Sequence, residues 1–332
     1  MSDGFNLRLR RPRPSVVACS PTLGALGAVN LMPACFAKED ALEARIARSS
    51  RRRRAVSVLL RWLTYAAATV TAAVLLFVVG YILVRGVPAL TPDLFQWEYT
   101  SENVSLLPAL ASTVIMALLA LALAVPVGVG AAIYLVEYAR RGSRFVRLVR
   151  VTAETLQGIP SIIYGLFGML FFVTACGWGL SFLSGACTLA IMVLPVIMRT
   201  TEEALMAVPD SYREGGFGLG AGRLRTVARC VLPSAVPGIL GGVILALGRC
   251  VGEVAALLFT AGTVAQIPDF AGQGIFALFD SCRTLAVHMY TLACEGLHVN
   301  EAYATSVVLP ILVLLLNAAM RVVAQKMEVS KK

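Results

Sequence analysis

Between Glu154 and Arg199 lie 44 consecutive residues, 155–198, without one charged side chain. Backbone polar groups in lipid must be satisfied within the segment itself, so a run of this kind has to become helix. At ~20 apolar residues per crossing it holds two spans, and Cys176-Gly177-Trp178-Gly179 near its middle supplies the turn chemistry to join them. Four further stretches read the same way. They are 62–84, 104–136 with a tolerated kink at Pro126, 233–259 interrupted by Arg249 and Glu253, and 302–320. The sequence therefore predicts an all-α membrane protein of six transmembrane helices. Only 14% of the 332 residues are charged, against ~25% in a soluble domain, which excludes a soluble multi-domain enzyme.

The 29 Lys and Arg exceed the 19 Asp and Glu, for a net charge of +10. Placed on the spans, this excess is a topology signal. The N-terminal segment to Arg61 carries 12 cations, the 137–154 loop 5, the 199–233 loop 5 and the C-terminal end 4. The alternate loops carry only Arg85 and Arg283, and Arg249 is left inside a span. Cationic loops stay in the cytoplasm, so both termini are assigned there and the protein to the cytoplasmic (inner) membrane. Nucleic acid is not needed to explain the charge. Residues 1–55 read as a mostly disordered cytoplasmic tail, because Pro21, Asn30 and Pro33 interrupt its one apolar stretch and no cleavage site follows. A transmembrane domain fills 56–326, with an inner loop at 199–233 and an outer segment at 262–301, and 327–332 form a second tail. The outer segment's apolar residues, Ile275, Phe276, Leu278, Phe279, Leu285 and Leu292, predict short helices lying on the membrane.

Two regions could carry chemistry. In the inner loop, Asp210 or Ser211 can cap a short helix, Gly220 to Gly222 breaks it, and a basic second helix leads to Pro233. Glu214 is followed at fixed offsets by Gly220 and by Cys230-Val231-Leu232-Pro233. This spacing resembles the EAA signature of binding-protein-dependent ABC importer permeases, with Gly215 and Gly216 in place of two alanines and Cys230 in place of isoleucine. The resemblance implies a type I (MetI-like) permease fold. It also implies a coupling helix docked on an ATPase subunit, through Glu214, Gly215, Gly216, Gly220, Leu232 and Pro233.

The second region is the interrupted span. A charge at membrane depth costs ~2.5 to 3.5 kcal/mol even on a lenient insertion scale, so Arg249 and Glu253 must face protein or water. Four residues apart, they share a helix face and can pair. The pair is either a packing device or a cationic station for an anion, with Glu253 holding Arg249 in place. Arg249-x-x-Gly252-Glu253, followed by Leu257-Leu258-x-Thr260-Ala261-Gly262, resembles the phosphate importer permeases, of the PstA type more than the PstC type. The stretches at 132–138 and 158–168 agree. Val254-Ala255-Ala256 departs from the usual Thr-Ala-Pro, which affects local helix shape and fine anion preference. At 158–168, Pro160, Ser161 and Tyr164 fit either a polar path or a simple helix start; Ser161 and Tyr164 are assigned to the path.

No Gly-Lys pair occurs, hence no phosphate-binding Walker loop, and ATP must be used by partners. No catalytic set or metal ligand group is expected: His288 and His298 lie in the outer segment, where solvated roles are predicted. Of the eight cysteines, Cys176, Cys187 and Cys250 read as small apolar fillers, and Cys282 with Cys294 could form an outer disulfide. The implied assembly is a PstC-type second permease, two ATPase subunits and an extracytoplasmic phosphate-binding protein, in membrane lipid. This chain itself binds no cofactor. The alternatives are another oxyanion such as molybdate or sulfate, a secondary carrier or channel not coupled to ATP, or a scaffold without transport.

Overall fold

Helix is the only regular structure among the described residues, as a chain this apolar requires. A computed structural model describes the backbone of residues 28–100, 102–140, 142–268 and 272–329, and side-chain surroundings from 56 to 322 within them. The chain separates into two units, Met1–Leu76 and Phe77–Lys332.

In the first unit the described residues belong to α1 (Ala28–Gly86), and its side chains from Val56 to Leu76 are all exposed. A helix that is apolar all round and long enough to cross reads as a membrane span. The helix begins at Ala28, where a disordered tail to residue 55 is expected from the sequence; residues 1–27 of that expectation lie outside the described residues. The stretch 37–55 is rich in Ala and Arg, with Glu39 and Glu43, which are strong helix formers.

The second unit holds the core. Its helices are α2 (Leu107–Ile133), α3 (Arg144–Gln157), α4 (Ser161–Gly168), α5 (Phe182–Met206), α6 (Asp210–Gly218), α7 (Arg223–Thr226), α8 (Leu232–Val251), α9 (Ala255–Thr260), α10 (Leu285–Glu295) and α11 (Val299–Val329). Among the described residues five helices are long and apolar enough to cross a membrane, and α3 with α4 and its extension to Ala175 make a sixth when counted as one bent span. The six-helix expectation therefore holds with one change. α3 takes residues 155–157, so the third span, counted as one, includes α3 and bends by 101° before Ser161. Pro160 is the reason: it stands just before the first helical residue, with extended ψ of 139°, and cannot continue α3. The turn at 176–179 is as expected, with Gly177 and Gly179 both at positive φ.

α5 is the central helix, packed against α2 on one side and α8 on the other. Met116, Ala120, Leu189, Met192, Val193, Ile197, Ala246 and Leu247 are buried between them. Lipid supplies no hydrophobic drive for helix pairing, so close approach of small residues has to. Gly238 and Gly242 of α8 do this: a Cβ added at Gly238 would stand 2.6 Å from the Ala204 Cβ of α5, and one at Gly242 would overlap Thr200. A second core of Ala132, Leu135, Val146, Ala153, Met198, Leu205, Val231 and Ala235 closes the end of the bundle that carries α3, α6 and α7, hereafter the basic end.

At the opposite end the expectation of helices lying on the membrane is half corrected. Ile275 and Phe276 are exposed, but Leu285 and Leu292 are fully buried, because α10 packs against α11. His288 is also fully buried rather than solvated. Arg283 donates from Nη1 to the His288 Nδ1 at 3.1 Å, donates from Nε to the Thr263 carbonyl at 2.8 Å, and lies over the Tyr99 ring. Burial, with the Arg283 charge second, pushes the imidazole pKa down to about 4. His298 stands 3.8 Å from Glu301. Cys282 and Cys294 are both free thiols, one buried and one exposed, so they form no disulfide. Cys176 is exposed and fills no core position, whereas Cys250 is buried and Cys187 is partly so.

Candidate transport and coupling sites

The loop at the basic end is built as helix, glycine turn, helix. Pro209 precedes α6, Gly220 takes φ +78° just after it, and α7 runs through a wide turn at 227–231 into α8, with Pro233 in the first turn. Asp210 does not cap α6 as expected; it is the first helical residue, and its carboxylate accepts from Arg213 Nη1 at 3.1 Å. Glu214 and Gly215 are exposed, and Leu232 is partly buried. Gly216 is buried against α7, where a Cβ would come within 2.6 Å of Thr226. The two glycines that replace alanines thus differ: one lets α6 touch α7, the other has open space beside it. Tyr212, Phe217, Leu219 and Leu224 stay exposed on the same short loop, and a group of exposed large apolar side chains is a feature of interaction surfaces.

What holds this loop in place was not legible as a site. Arg213 donates to the Glu137 carboxylate at 2.8 Å, to the Leu205 carbonyl at 2.9 Å and to the Val208 carbonyl at 2.8 Å. Glu137 sits in the π-turn that extends α2 and its side chain is nearly buried. The pairing raises the Arg213 pKa, chiefly through the hydrogen bond to Glu137. Arg213 and Glu137 are 76 residues apart, so no local spacing connects them. The only signals were their places inside the two stretches that carry the family resemblance.

The interrupted span differs from the expectation. α8 ends at Val251, Gly252 caps it, and Glu253 lies in the break before α9. Arg249 and Glu253 therefore do not share a helix face, and among the described residues no ion pair joins them. The helix stops at Gly252, whose N–H still reaches back to the Gly248 carbonyl at 3.3 Å, and Glu253 falls beyond its last turn. Glu253 instead accepts from the Ala256 backbone N–H at 3.4 Å, a helix-start contact for α9. Both charged side chains are partly exposed. A helix broken at membrane depth is tolerated where it lines a cavity or packs in protein.

Tyr164 is buried in α4 and its hydroxyl donates to the Leu156 carbonyl at 2.8 Å, across the bend. It also lies within Coulombic reach of Arg249. Ser161 is the first residue of α4 and partly exposed. Gly165 meets the α9 backbone, where a Cβ would fall 2.8 Å from the Ala256 Cα. The bend and the break are thereby brought together: α4 packs on α9, and Tyr164, Arg249 and Glu253 belong to one region.

Residues 124–329 match the family described as binding-protein-dependent transport system inner membrane component. The chain belongs to this family. The permease is 35% identical over 268 residues to the probable ABC transporter permease protein YqgI of Bacillus subtilis (strain 168), covering 76% of this chain and 90% of that one. It is 33% identical over 249 residues to the phosphate transport system permease protein PstA of Pasteurella multocida (strain Pm70), covering 73% and 84%. Among solved structures it resembles a bacterial ABC transporter involved in the import of the acidic polysaccharide alginate, at 16% identity and a TM-score of 0.58. That likeness covers 80% of this chain and 96% of the other, and concerns the fold. The family region takes in the end of α2 and all of α3 to α11, and so both the α6–α7 loop and the broken span.

Proposed function

We propose that this permease is the membrane-spanning subunit of an ATP-driven importer that carries inorganic phosphate across the cytoplasmic membrane. The observation that supports it most is the α6–α7 loop with its signature spacing, exposed apolar residues and anchoring Arg213, in a chain that shares 33% identity over most of its length with a phosphate permease. The partners are a second permease of the PstC type, two ATPase subunits that hydrolyse ATP, and an extracytoplasmic phosphate-binding protein. The basic end, with both termini, faces the cytoplasm.

Each residue has a role in this reading. Glu214 and Gly220, with Gly215 and Gly216, shape the face of the loop that enters the ATPase groove, and Leu232 and Pro233 start the helix that leads from it into the membrane. ATP binding draws the loops of the two permeases together and moves the bundle. Arg249, at the end of α8, offers the transported oxyanion a cation it meets away from bulk water, where a charge-assisted hydrogen bond is strongest. Glu253, one turn on and not neutralising it, fixes the start of α9. Ser161 and Tyr164 add hydroxyls at the bend that faces this break.

The test is uptake of radiolabelled phosphate by cells expressing the complete transporter, in competition with molybdate and sulfate and with ATP depleted. Uptake that needs ATP and resists both competitors is expected. Competition by molybdate or sulfate moves the substrate to another oxyanion, and uptake without ATP overturns the coupled mechanism. Arg249→Gln in an assembled complex is expected to cut phosphate uptake about 10- to 100-fold, the loss of one charge-assisted contact; full uptake would remove Arg249 from the path.

A further inference from the structure

At the basic end, outside both sites described, α3 is tied to α5 by an ion pair. Arg150 Nη2 contacts Glu202 Oε1. Glu202 is almost wholly buried, with its side chain 2% exposed, whereas that of Arg150 is 40% exposed. The pair is only half made. Glu202 Oε2 and Arg150 Nε are both buried without a hydrogen-bond partner, although a guanidinium and a carboxylate can form a two-pronged fork. Of the other charges nearby, Arg199 pairs with Glu203 at 2.8 Å, both half exposed. A cleft of about 220 Å³ lined by Arg150, Glu154, Gln157, Arg199, Glu202 and Glu203 leaves the pair room to shift.

The elements on either side of this pair are held rigidly. Toward the loop, Arg213 binds the carbonyls of Leu205 and Val208, so α6 and the last turn of α5, which begins next to Glu202, move as one piece. Toward the membrane, Gln157 donates to the Pro195 carbonyl at 3.0 Å, and Tyr164 donates to Leu156 across the bend. α4 then packs on α9, beyond the break that holds Arg249 and Glu253. A buried carboxylate whose cation is withdrawn is left uncompensated, at a cost of several kcal/mol. Displacement of α5 therefore drags α3 with it, and the unused atoms provide a second register for the same contact.

We propose that the Arg150–Glu202 bridge transmits displacement of the α6–α7 loop to the α3–α4 bend, making Arg150 and Glu202 positioning residues of the transport step. This rests on the importer reading given above. The bridge carries motion without contact to substrate or nucleotide, so its loss separates ATP hydrolysis from translocation.

The test uses the complete transporter in proteoliposomes, with phosphate translocated and ATP hydrolysed measured in the same vesicles. Wild-type vesicles that show no ATP-dependent phosphate uptake overturn the importer reading, and the bridge with it. Where the wild type transports, Glu202→Gln is expected to lower phosphate moved per ATP about tenfold while hydrolysis stays within about twofold, the size of an ordinary coupling term. Arg150→Gln should do the same, and Arg150→Lys, which keeps the charge, should restore most of the ratio. An unchanged ratio in Glu202→Gln overturns the proposal and leaves the importer reading intact. If Glu202→Gln does not assemble, Arg150→Gln decides by the same ratio. If neither assembles, the bridge is a packing contact and the proposal falls.

Discussion

At the scale of single residues, the consequences turn on what surrounds a side chain rather than on its type. Gly215 and Gly216 are neighbours in one helix, yet only Gly216 has a neighbour for a Cβ to strike. Gly215→Ala is therefore expected to stabilise α6 by ~0.5 to 1 kcal/mol, read as a rise in the thermal midpoint of the purified protein. Gly216→Ala should lower that midpoint, because Thr226 has to be displaced. His288 gives a pH dependence. Its folded pKa of about 4 lies below the ordinary 6.5, so the unfolded chain takes up the proton first as pH falls. Stability is fully present above about pH 6.5, declines between about 6.5 and 4, and the loss levels off below that, at a total of about 3 kcal/mol. Denaturation midpoints across that range should show the decline, and His288→Gln should flatten it. A decline that survives the substitution assigns the effect to another group.

At the scale of elements, the bundle is organised by small residues. The α5–α8 seam depends on Gly238 and Gly242 meeting Ala204 and Thr200, whose small side chains fill the space a Cβ on α8 would need. Gly242→Val forces the helices apart and is expected to cost roughly 1 to 3 kcal/mol as overpacking, seen as loss of the monodisperse peak in detergent. Gly241, one position away with open space around it, should accept alanine without that loss. The break between α8 and α9 and the bend between α3 and α4 belong to the same scale. The bend is set by Pro160, which cannot continue α3, and the break falls at Gly252, after which Glu253 starts α9.

At the scale of the whole molecule, sidedness is the testable property. Leu219 and Leu297 are 91% and 83% exposed, and the charge distribution puts them on opposite sides of the membrane. In a background with the native cysteines replaced, Leu297→Cys is expected to react with an impermeant thiol reagent added to intact cells, and Leu219→Cys only after permeabilisation. Labelling of Leu219→Cys in intact cells reverses the topology.

The helical membrane class, the number of crossings and the helix-turn-helix loop were legible from the sequence, because lipid enforces charge-free runs of fixed length and because glycine and proline mark stops locally. The extent of α1, the start of the third span and the burial of His288 were not legible, since each depends on packing or on propensity overriding a weak apolar pattern. Arg249 and Glu253 stood out as charges at membrane depth, but only the structure decided that the helix ends between them and that Glu253 serves α9 instead. The contacts that fasten the basic end, Arg213 with Glu137 and Arg150 with Glu202, join residues from different helices. Sequence determines which charges must avoid lipid; tertiary structure decides which of them meet, because partners far apart in the chain are chosen by how helices pack and by no local period.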